Sequence, residues 1–463
     1  MPKSVAVLLA VAFYVVTFQI DNSCQTLLYG SRLASFPKPD FRVNFTLFSQ
    51  RGFHSYKEVR HGLNVDPFYV RVYARGKSLK GNLFCFNGVG ASQASPKVSG
   101  YGGLVYAYNS MYVRIWAPTQ YKSYSNGRII YLKDGWGSGW DVYQMSEAEV
   151  VVEVWRPGPT PLLQFDIPLY TLKSSFHEIE HKLGQTPERI SVSVTPDGSN
   201  YPRSNPNKGF WFDAIGSSQN PNPTTGFGGV IFAYNARRIR LWTADGNVTA
   251  TGCVFVGRGW GNEKNTQYSK KCIVRVKLWT NLLPAPVFQT EWHNLKAQRN
   301  AYSVKDISHR LGILPSLVIV QLRITSGINL GFIFEGQGAV MSGDNNVYGY
   351  GGVTFAYDEN LVRIWAPSRK DGSSKGFAVL VKDGWGEGKN LQRSLSVDYR
   401  IIIHSSPCDS NFETTFERDT CIKTKYLSYQ WADFTQWSHC SSICNNGTKM
   451  RETKGMFTST CYK

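Results

Sequence analysis

Residues Gly349 to Gly386 read GYGGVTFAYDENLVRIWAPSRKDGSSKGFAVLVKDGWG, and this stretch occurs in three related copies along the chain. The other two copies begin their motifs at these positions: GYGG at Gly100, VRIWAP at Val113 and DGWG at Asp134, then GFGG at Gly226, IRLW at Ile239 and RGWG at Arg258. A long fixed period is typical of repeat architectures. The fold is therefore decided by one module written three times.

Short proline-rich segments separate the copies. Arg156-Pro-Gly-Pro-Thr-Pro161 follows the first copy, and Leu283-Pro-Ala-Pro286 follows the second. Proline stiffens such segments because it restricts its own backbone and that of the preceding residue. We divide the 463 residues into a signal peptide (1–23), three repeats (41–155, 164–279 and 287–403), a linker (404–430) and a tail (431–463).

Each copy consists mainly of short apolar runs bounded by Gly, Asn, Asp and Pro. Examples are PFYVRVYA, PERISVSV and PSLVIVQL, and each copy ends in VVVEVW, IVRVKLW or VDYRIII. Such runs are typical of strands, and several at short spacing favour an antiparallel sandwich or barrel. We predict an all-β chain of three tandem antiparallel β-sandwich modules, followed by a small cysteine-containing tail.

One short helical turn is also expected near the start of each copy. The segments Ser55–Glu58, Ser175–Glu178 and Ser303–Asp306 fit a capping box, in which serine accepts from a first-turn amide and the acid reaches back. A histidine follows in every copy: His61, His181 and His309. A lone histidine of this kind more often bonds a loop carbonyl than a metal.

The N-terminus and the charge point to an exported protein. Lys3 precedes an apolar run from Val5 to Ile20 and a polar Asp21, which is a secretory signal pattern, with a signal anchor as the alternative. No later run is long enough to span a bilayer, so we expect no transmembrane segment. The net charge of +18 favours acidic partners, including sulfated glycans, and the signal pattern argues against nucleic acid. A merely solvated basic surface is the alternative.

Export permits disulfides, and the chain has nine cysteines, so at least one lacks an intrachain partner. Cys253 begins the predicted strand before the Gly-Trp-Gly of the second copy, and Cys272 begins the strand after it. An antiparallel hairpin would bring the two together across a loop, which predicts a disulfide. Cys408 and Cys421 are a second, local candidate pair. Three acceptor triplets predict N-glycosylation at Asn44, Asn247 and Asn446.

The sequence His177-Glu-Ile-Glu-His181 fits the zinc-protease pattern HExxH, in which two histidines one helical turn apart bind zinc. The other copies have Lys57 and Lys305 in place of His177, and Glu178 aligns with the predicted capping acids. We therefore expect a capped helical turn with an additional histidine, no metal and no catalytic residue. A zinc protease is kept as the less favoured alternative.

An aromatic, basic and acidic set recurs on predicted strands and turns. In VRIWAP the two-residue period places Arg114 and Trp116 on one face, and an acid and a second tryptophan follow in DGWG. Pyranose sites combine an aromatic face with charged groups that bind hydroxyls. The candidate ligand-binding residues are Arg114, Trp116, Asp134, Trp136, Arg240, Trp242, Trp260, Arg363, Trp365, Asp383 and Trp385.

Two points count against a ligand role for this set. The second copy has Arg258 where the others have aspartate, so its site is altered or lost. A tryptophan between glycines also closes the end of many sandwiches, and arginine stacks on tryptophan as a purely structural pair. Binding and packing both remain open at this point.

The tail Trp431-Ala-Asp-Phe-Thr-Gln-Trp437-Ser-His-Cys440-Ser-Ser-Ile-Cys444 resembles the opening of a thrombospondin type-1 repeat. In that family tryptophans on one strand interleave with arginines on the next, and the setting is extracellular adhesion or matrix, including glycosaminoglycan contact. The tail differs at Phe434 and Ile443 and holds three of the six usual cysteines: Cys440, Cys444 and Cys461.

The triplicated module resembles H-type lectins in its third copy, where Gly376-Phe377, Trp385, Ser396 and Val397 are similar to that family's final segment. Those lectins are small six-stranded sandwiches that form trimers and bind N-acetylgalactosamine. The copies here are longer and carry an additional YGGVxFAY segment. The resemblance implies that three copies in one chain take the place of three subunits.

Together these observations predict a secreted, multivalent binding or adhesion protein that recognises extracellular glycans, including acidic ones, in a lectin-like manner. Glycoproteins and matrix proteins are the expected partners, and no enzymatic activity or cofactor is expected. The sequence leaves a calcium requirement open. The alternative of a different class is a structural matrix protein whose modules pack only with one another. A membrane-attacking protein is not favoured, because the sequence has no amphipathic segment that could insert.

Overall fold

The computed structural model describes residues 36–406, except 93–99, 121–125, 134, 157, 172, 198–204, 218–225, 246–250, 281–284 and 340–348, together with residues 434–437, 451–453 and 456–457. Residues up to 406 belong to one compact unit, and the last three segments belong to a second. The described chain is all-β, as predicted. Its helices are 3₁₀ turns of three or four residues: Gly52–Ser55, Gly137–Gly139, Gly261–Glu263, Asn300–Ser303 and Gly386–Gly388. None of the described helices has the length and apolarity to cross a bilayer.

The first repeat contributes twelve strands: β1 (Phe41–Phe48), β2 (Tyr56–Arg60), β3 (Tyr69–Lys77), β4 (Leu83–Asn87), β5 (Tyr101–Gly102), β6 (Val105–Tyr108), β7 (Tyr112–Trp116), β8 (Gly127–Arg128), β9 (Ile130–Leu132), β10 (Gly135–Trp136), β11 (Tyr143–Met145) and β12 (Glu147–Trp155). The long strand β12 lies between β1 and β3, antiparallel to both. Its valines are buried on both faces, which is why it reads as a continuous apolar run.

The second repeat follows the same order: β13 (Leu163–Tyr170), β14 (Phe176–Glu180), β15 (Arg189–Pro196), β16 (Phe212–Asp213), β17 (Phe227–Gly228), β18 (Val230–Tyr234), β19 (Arg238–Thr243), β20 (Thr251–Gly252), β21 (Val254–Val256), β22 (Gln267–Ser269) and β23 (Lys271–Trp279). The predicted disulfide is present: Cys253 and Cys272 are bonded, with Cα atoms 6.3 Å apart. It joins the residue before β21 to the start of β23.

The third repeat contains β24 (Phe288–Gln289), β25 (His293–Lys296), β26 (Val304–Ser308), β27 (Leu317–Ile324), β28 (Ile333–Glu335), β29 (Tyr350–Gly351), β30 (Thr354–Tyr357), β31 (Leu361–Trp365), β32 (Pro367–Ser368), β33 (Gly376–Phe377), β34 (Val379–Val381), β35 (Gln392–Ser394) and β36 (Ser396–His404). Strand β36 pairs with β27 and with both β24 and β25. It therefore occupies the place that β12 holds in the first repeat.

Sheets cross the repeat boundaries and close a ring. One sheet runs β1-β12-β3-β4-β30-β31-β26 and joins repeat one to repeat three, and another runs β14-β19-β18-β28-β27-β36-β24 and joins repeat two to repeat three. Two further sheets, β13-β23-β15-β16 in repeat two and β2-β7-β6 in repeat one, meet through a bridge between Tyr108 and Trp211. The three repeats thus form one ring within the compact unit. We call the interface between two neighbouring repeats a seam, and the ring has three.

Equivalent tyrosines make the backbone connection at every seam. Tyr108 bridges to Trp211, Tyr234 pairs with Ile333, and Tyr357 pairs with Cys85. Their hydroxyls bond a polar residue of the neighbouring repeat: Asp213, Glu335 and Asn87, respectively. The YGGVxFAY segment that lengthens each copy is therefore the part that links it to the next.

Glycines allow the repeats to approach at the centre of the ring. A Cβ atom added at Gly90 would overlap the backbone of Asp213, one at Gly216 the carbonyl of Glu335, and one at Gly338 the backbone of Asn87. Only glycine permits backbones to come this close.

The predicted capping boxes are wrong. Glu58, Glu178 and Asp306 lie on strands β2, β14 and β26, and the 3₁₀ turns ending at Ser55 and Ser303 have no side-chain cap bond. Each of these acids instead pairs with an arginine on the adjacent strand, because strand pairing aligns it with that partner. The residues that match the capping-box pattern therefore form ion pairs between neighbouring strands of a sheet.

In the second unit, the structure describes three antiparallel strands: β37 (Phe434–Trp437), β38 (Arg451–Thr453) and β39 (Met456–Phe457). The register places Trp437 opposite Arg451. The remaining tail positions used for the thrombospondin resemblance, the predicted signal peptide, and Cys408 and Cys421 lie outside the described residues.

Candidate functional site

The six candidate tryptophans are all inside the protein. Each has 0 % of its surface exposed: Trp116, Trp136, Trp242, Trp260, Trp365 and Trp385. No ring face is therefore available to stack on a sugar. The expectation that these rings bind a ligand is corrected: in the folded chain they are packing residues.

The tryptophan of each VRIW or IRLW strand reaches across a seam. Trp116 stacks on Phe212 of the second repeat at a centroid distance of 6.0 Å, and its Nε1 donates to the Lys264 carbonyl at 2.7 Å. The other two seams repeat both contacts, through Trp242 with Phe334 and Lys389, and Trp365 with Phe86 and Trp140.

The second tryptophan of each set packs under the preceding repeat. Trp136 contacts Tyr350 edge-on at 5.6 Å and pairs with Pro367, both from the third repeat. Equivalent contacts join Trp260 to Tyr101 and Pro118, and Trp385 to Phe227 and Ala244. At each seam, one repeat thus contributes the aromatic residue of GYGG or GFGG, and the other contributes the tryptophan of GWG.

The recurring arginines form contacts across the seams. Arg114 binds Glu58 at 2.6 Å in its own repeat, donates to Asn207 Oδ1 at 2.9 Å across the seam, and lies 3.9 Å above the Phe210 ring. Arg240 repeats this with Glu178, Asn329 and Phe332. Arg363 repeats it with Asp306, Asp141 and Phe84, so only this seam places a carboxylate opposite the arginine.

The predicted acidic members do not join these arginines. Asp383 is exposed and its carboxylate lies 3.6 Å from Arg393, whereas Arg363 is bound by Asp306 and Asp141. Asp134 lies outside the described residues. The Arg/Trp/Asp set is therefore divided between the seams and the surface and does not form one site.

The HEIEH segment has the wrong geometry for a zinc protease. His177 lies on strand β14 and His181 directly follows it, and four residues along a strand span about 13 Å, which is too far for one zinc ion. His181 bonds the Asn235 carbonyl at 3.0 Å, and His61 bonds the equivalent Asn109 carbonyl, as predicted for loop histidines. Among the described residues, no cluster of His, Cys, Asp or Glu fits a metal ion.

Of the glycosylation candidates, only Asn44 can be located. It is exposed on β1, where its amide donates to Glu149 Oε1 at 2.7 Å. Asn247 and Asn446 lie outside the described residues.

A cavity of about 160 Å³ lies where the three repeats meet, close to the central glycines. Its wall includes Arg71, Asp213, Glu335 and Gln337. Burial raises the pKa of Asp213, although the hydroxyls of Tyr106 and Tyr108 donate to it. Apolar side chains such as Phe232 and Ile319 share the wall with these polar groups, and the small volume suits ordered water better than an extended ligand.

The carboxyl group of Glu335, which lines this cavity, should make the stability of the protein depend on pH. Burial raises its pKa from an ordinary 4.5 to about 7, with Tyr234 and Arg189 opposing the shift. The folded state holds this proton more tightly than the unfolded state, so the contribution to stability is full below about pH 4.5 and is lost as the pH rises through 7. We expect Glu335→Gln to be more stable than wild type at pH 8 by about 1–3 kcal/mol and nearly equal to it at pH 5. Urea unfolding at both pH values measures this.

The exposed Glu188 supplies the control, since Glu188→Gln should change stability at neither pH. Equal behaviour of Glu335→Gln at pH 5 and pH 8 would contradict the assignment of a half-buried, proton-binding carboxyl.

An open pocket of about 380 Å³ lies on the third repeat. We call it the basic pocket, and its lining residues are Gln298, Gly349, Ser374, Lys375, Phe377, Lys382 and Arg393. Its volume falls in the usual range for small-molecule sites. Apart from Asp383, which we paired with Arg363, none of the sequence candidates that the structure describes lies in or beside it.

Strand pairing places the cations together. Arg393 on β35 is opposite Leu380 on β34, and Lys382 follows Leu380 by two residues, so both cations project from one face of the hairpin. Burial and then the nearby Arg393 charge lower the pKa of Lys382. Lys375 is exposed next to the short strand that carries Phe377.

A signal for this pocket was present in the three aligned repeats. At the positions of Lys375 and Arg393, repeat one has Asn126 and Gln144, whereas the seam arginines recur in every copy. Residues that recur in all three repeats mark the seams, whereas the residues of the basic pocket are ones that differ between the repeats. A scan against protein-family models and a search of curated proteins find no match for this chain.

Proposed function

We propose that this chain is a secreted binding or adhesion protein that recognises acidic extracellular glycans in a lectin-like manner. The observation that carries the proposal is the basic pocket: three cations and an aromatic ring line an open site on the third repeat. Cations bind sulfate or carboxylate groups, and the ring offers an apolar face to a sugar. This moves the recognition site from the seams to the surface.

Two further properties support an extracellular acidic ligand. The net charge of +18 attracts polyanions at long range and favours rapid encounter with them. The Cys253–Cys272 disulfide suits an oxidising compartment. Glycans with repeated anionic groups engage several chains at once, which gives adhesion by avidity.

We expect the purified full chain to bind sulfated glycans on an array and to ignore their desulfated forms. Binding should weaken as sodium chloride is raised, because salt screens contacts between exposed charges. The array is probed with and without calcium, since the pocket is lined by cations and no calcium dependence is expected. Equal signals from sulfated and desulfated glycans would contradict the proposal.

The second candidate is a structural matrix or coat protein without ligand chemistry. It is favoured by one specific observation: the six candidate tryptophans are buried, and the recurring arginines bond across the seams. A complete absence of glycan binding by a correctly folded chain would select this function.

A further inference from the structure

The basic pocket carries a net positive charge. Lys375, Lys382 and Arg393 contribute three cations, and the carboxylate of Asp383 lies 3.6 Å from Arg393. The Asp383 side chain is 72 % exposed, so solvent screens that pair strongly. An anion bound between the cations would relieve the repulsion between Lys382 and Arg393.

The remaining wall is partly apolar and includes the Phe377 ring. Gly349 lies against the Phe377 ring, and a Cβ added to this glycine would be 3.4 Å from the ring edge. Gln298 donates to the Gly376 carbonyl at 2.8 Å, which fixes the strand that carries Phe377. The backbone that carries Phe377 is therefore fixed by this bond and by pairing with Gly351, and a preformed wall favours binding.

The other repeats show that the fold does not need these cations. Repeat one has Asn126, Arg128 and Gln144 where repeat three has Lys375, Phe377 and Arg393. It nevertheless keeps the same hairpin and the same glutamine contact, from Gln50 to the Gly127 carbonyl. In repeat two, Gly257 and Tyr268 stand in place of Lys382 and Arg393. The combination of three cations and a phenylalanine belongs to the third repeat alone.

We infer that the basic pocket is a subsite for a single sulfated sugar unit, with Arg393 and Lys375 binding the sulfate and Phe377 facing the C–H side of the ring. This rests on the proposed function and specifies its ligand class, its residues and its number: one such site per chain. Arg393 suits the role because its guanidinium bonds two oxygens of an oxyanion in a fixed geometry.

The test uses the full chain and a fully sulfated heparan disaccharide, with binding measured by isothermal titration calorimetry. We expect one site per chain, and we expect Arg393→Gln and Lys375→Asn each to weaken binding about tenfold or more, since charge-assisted hydrogen bonds are lost. Both substitutions import the repeat-one residue at the same position, so the fold has already accepted them. The matched control is Lys133→Gln, which removes the repeat-one equivalent of Lys382 and should change the affinity less than about twofold.

The outcomes separate the subsite from the general function. If the wild type binds sulfated glycans and both pocket variants bind equally well, the subsite is wrong and the proposed function stands. If the wild type binds no sulfated glycan, both fail. If it binds anionic phospholipid vesicles but not the disaccharide, the ligand is a lipid phosphate and the sugar subsite is overturned.

Discussion

Replacing Gly216 with alanine is expected to lower the free energy of unfolding by at least about 3 kcal/mol. The added Cβ would overlap the Glu335 carbonyl where repeats two and three meet, and a backbone atom cannot rotate away as a side chain does. The ring must open at this point to accept the methyl group. Urea unfolding and thermal melts of the purified variant measure the loss.

A second glycine separates this effect from an ordinary glycine substitution. Gly62 has a φ of +66°, and no atom lies within 4 Å of the place that a Cβ would take, so Gly62→Ala tests backbone strain without a clash. We expect a cost of about 1 kcal/mol there. If Gly216→Ala is no worse than Gly62→Ala, the close approach of the repeats at the centre is not what the structure indicates.

Removing Arg363 is expected to cost about 3–5 kcal/mol, because it leaves the carboxylate of Asp141 buried without its counter-ion. The Asp141 side chain is 0 % exposed, and Asn82 and Tyr143 also donate to it. Arg114→Ala is the matched control, since Arg114 faces the neutral Asn207 across its seam. We expect the smaller loss, about 1–3 kcal/mol, from that variant, by urea unfolding under the same conditions.

A rescue experiment identifies the cause. Repeats two and three have Asn265 and Asn390 at the position of Asp141, and all three residues have a positive φ that asparagine accepts. Asp141→Asn in the Arg363→Ala background should therefore recover part of the stability by removing the unpaired charge. A double variant that is less stable than Arg363→Ala would show that lost packing, and not the buried charge, dominates.

Much of the fold could be predicted from the sequence, because strands leave a local pattern. The alternation in segments such as VRVYA and the turn residues between them indicate an antiparallel all-β protein, and the placement of Cys253 and Cys272 indicates their bond. The capping-box error has a physical reason. Ser-x-x-Glu satisfies a helix cap locally, but Glu58 finds a stronger partner in Arg114, 56 residues away along the chain.

The burial of the motif tryptophans could not be predicted from the alternation alone. Arg114 and Trp116 share the face of β7 that a single sandwich would leave to solvent, and only the neighbouring repeat covers that face. The same residue types suit a sugar site and a protein seam, since both need an aromatic surface and a directed cation. The basic pocket depends on residues brought together from positions 298 to 393, and no local pattern reports that proximity.

The ring also sets the order in which the chain can finish folding during synthesis. Strand β4 obtains its outer neighbour from the third repeat, and the bonded pair Asn87 and Tyr357 are 270 residues apart. At about 5–20 residues per second, the ribosome needs roughly 15–50 s to deliver that partner. For this interval the first repeat presents an unpaired strand edge, which invites pairing with other chains. Production of the intact protein will therefore depend on how well the nascent chain is protected until its last repeat emerges.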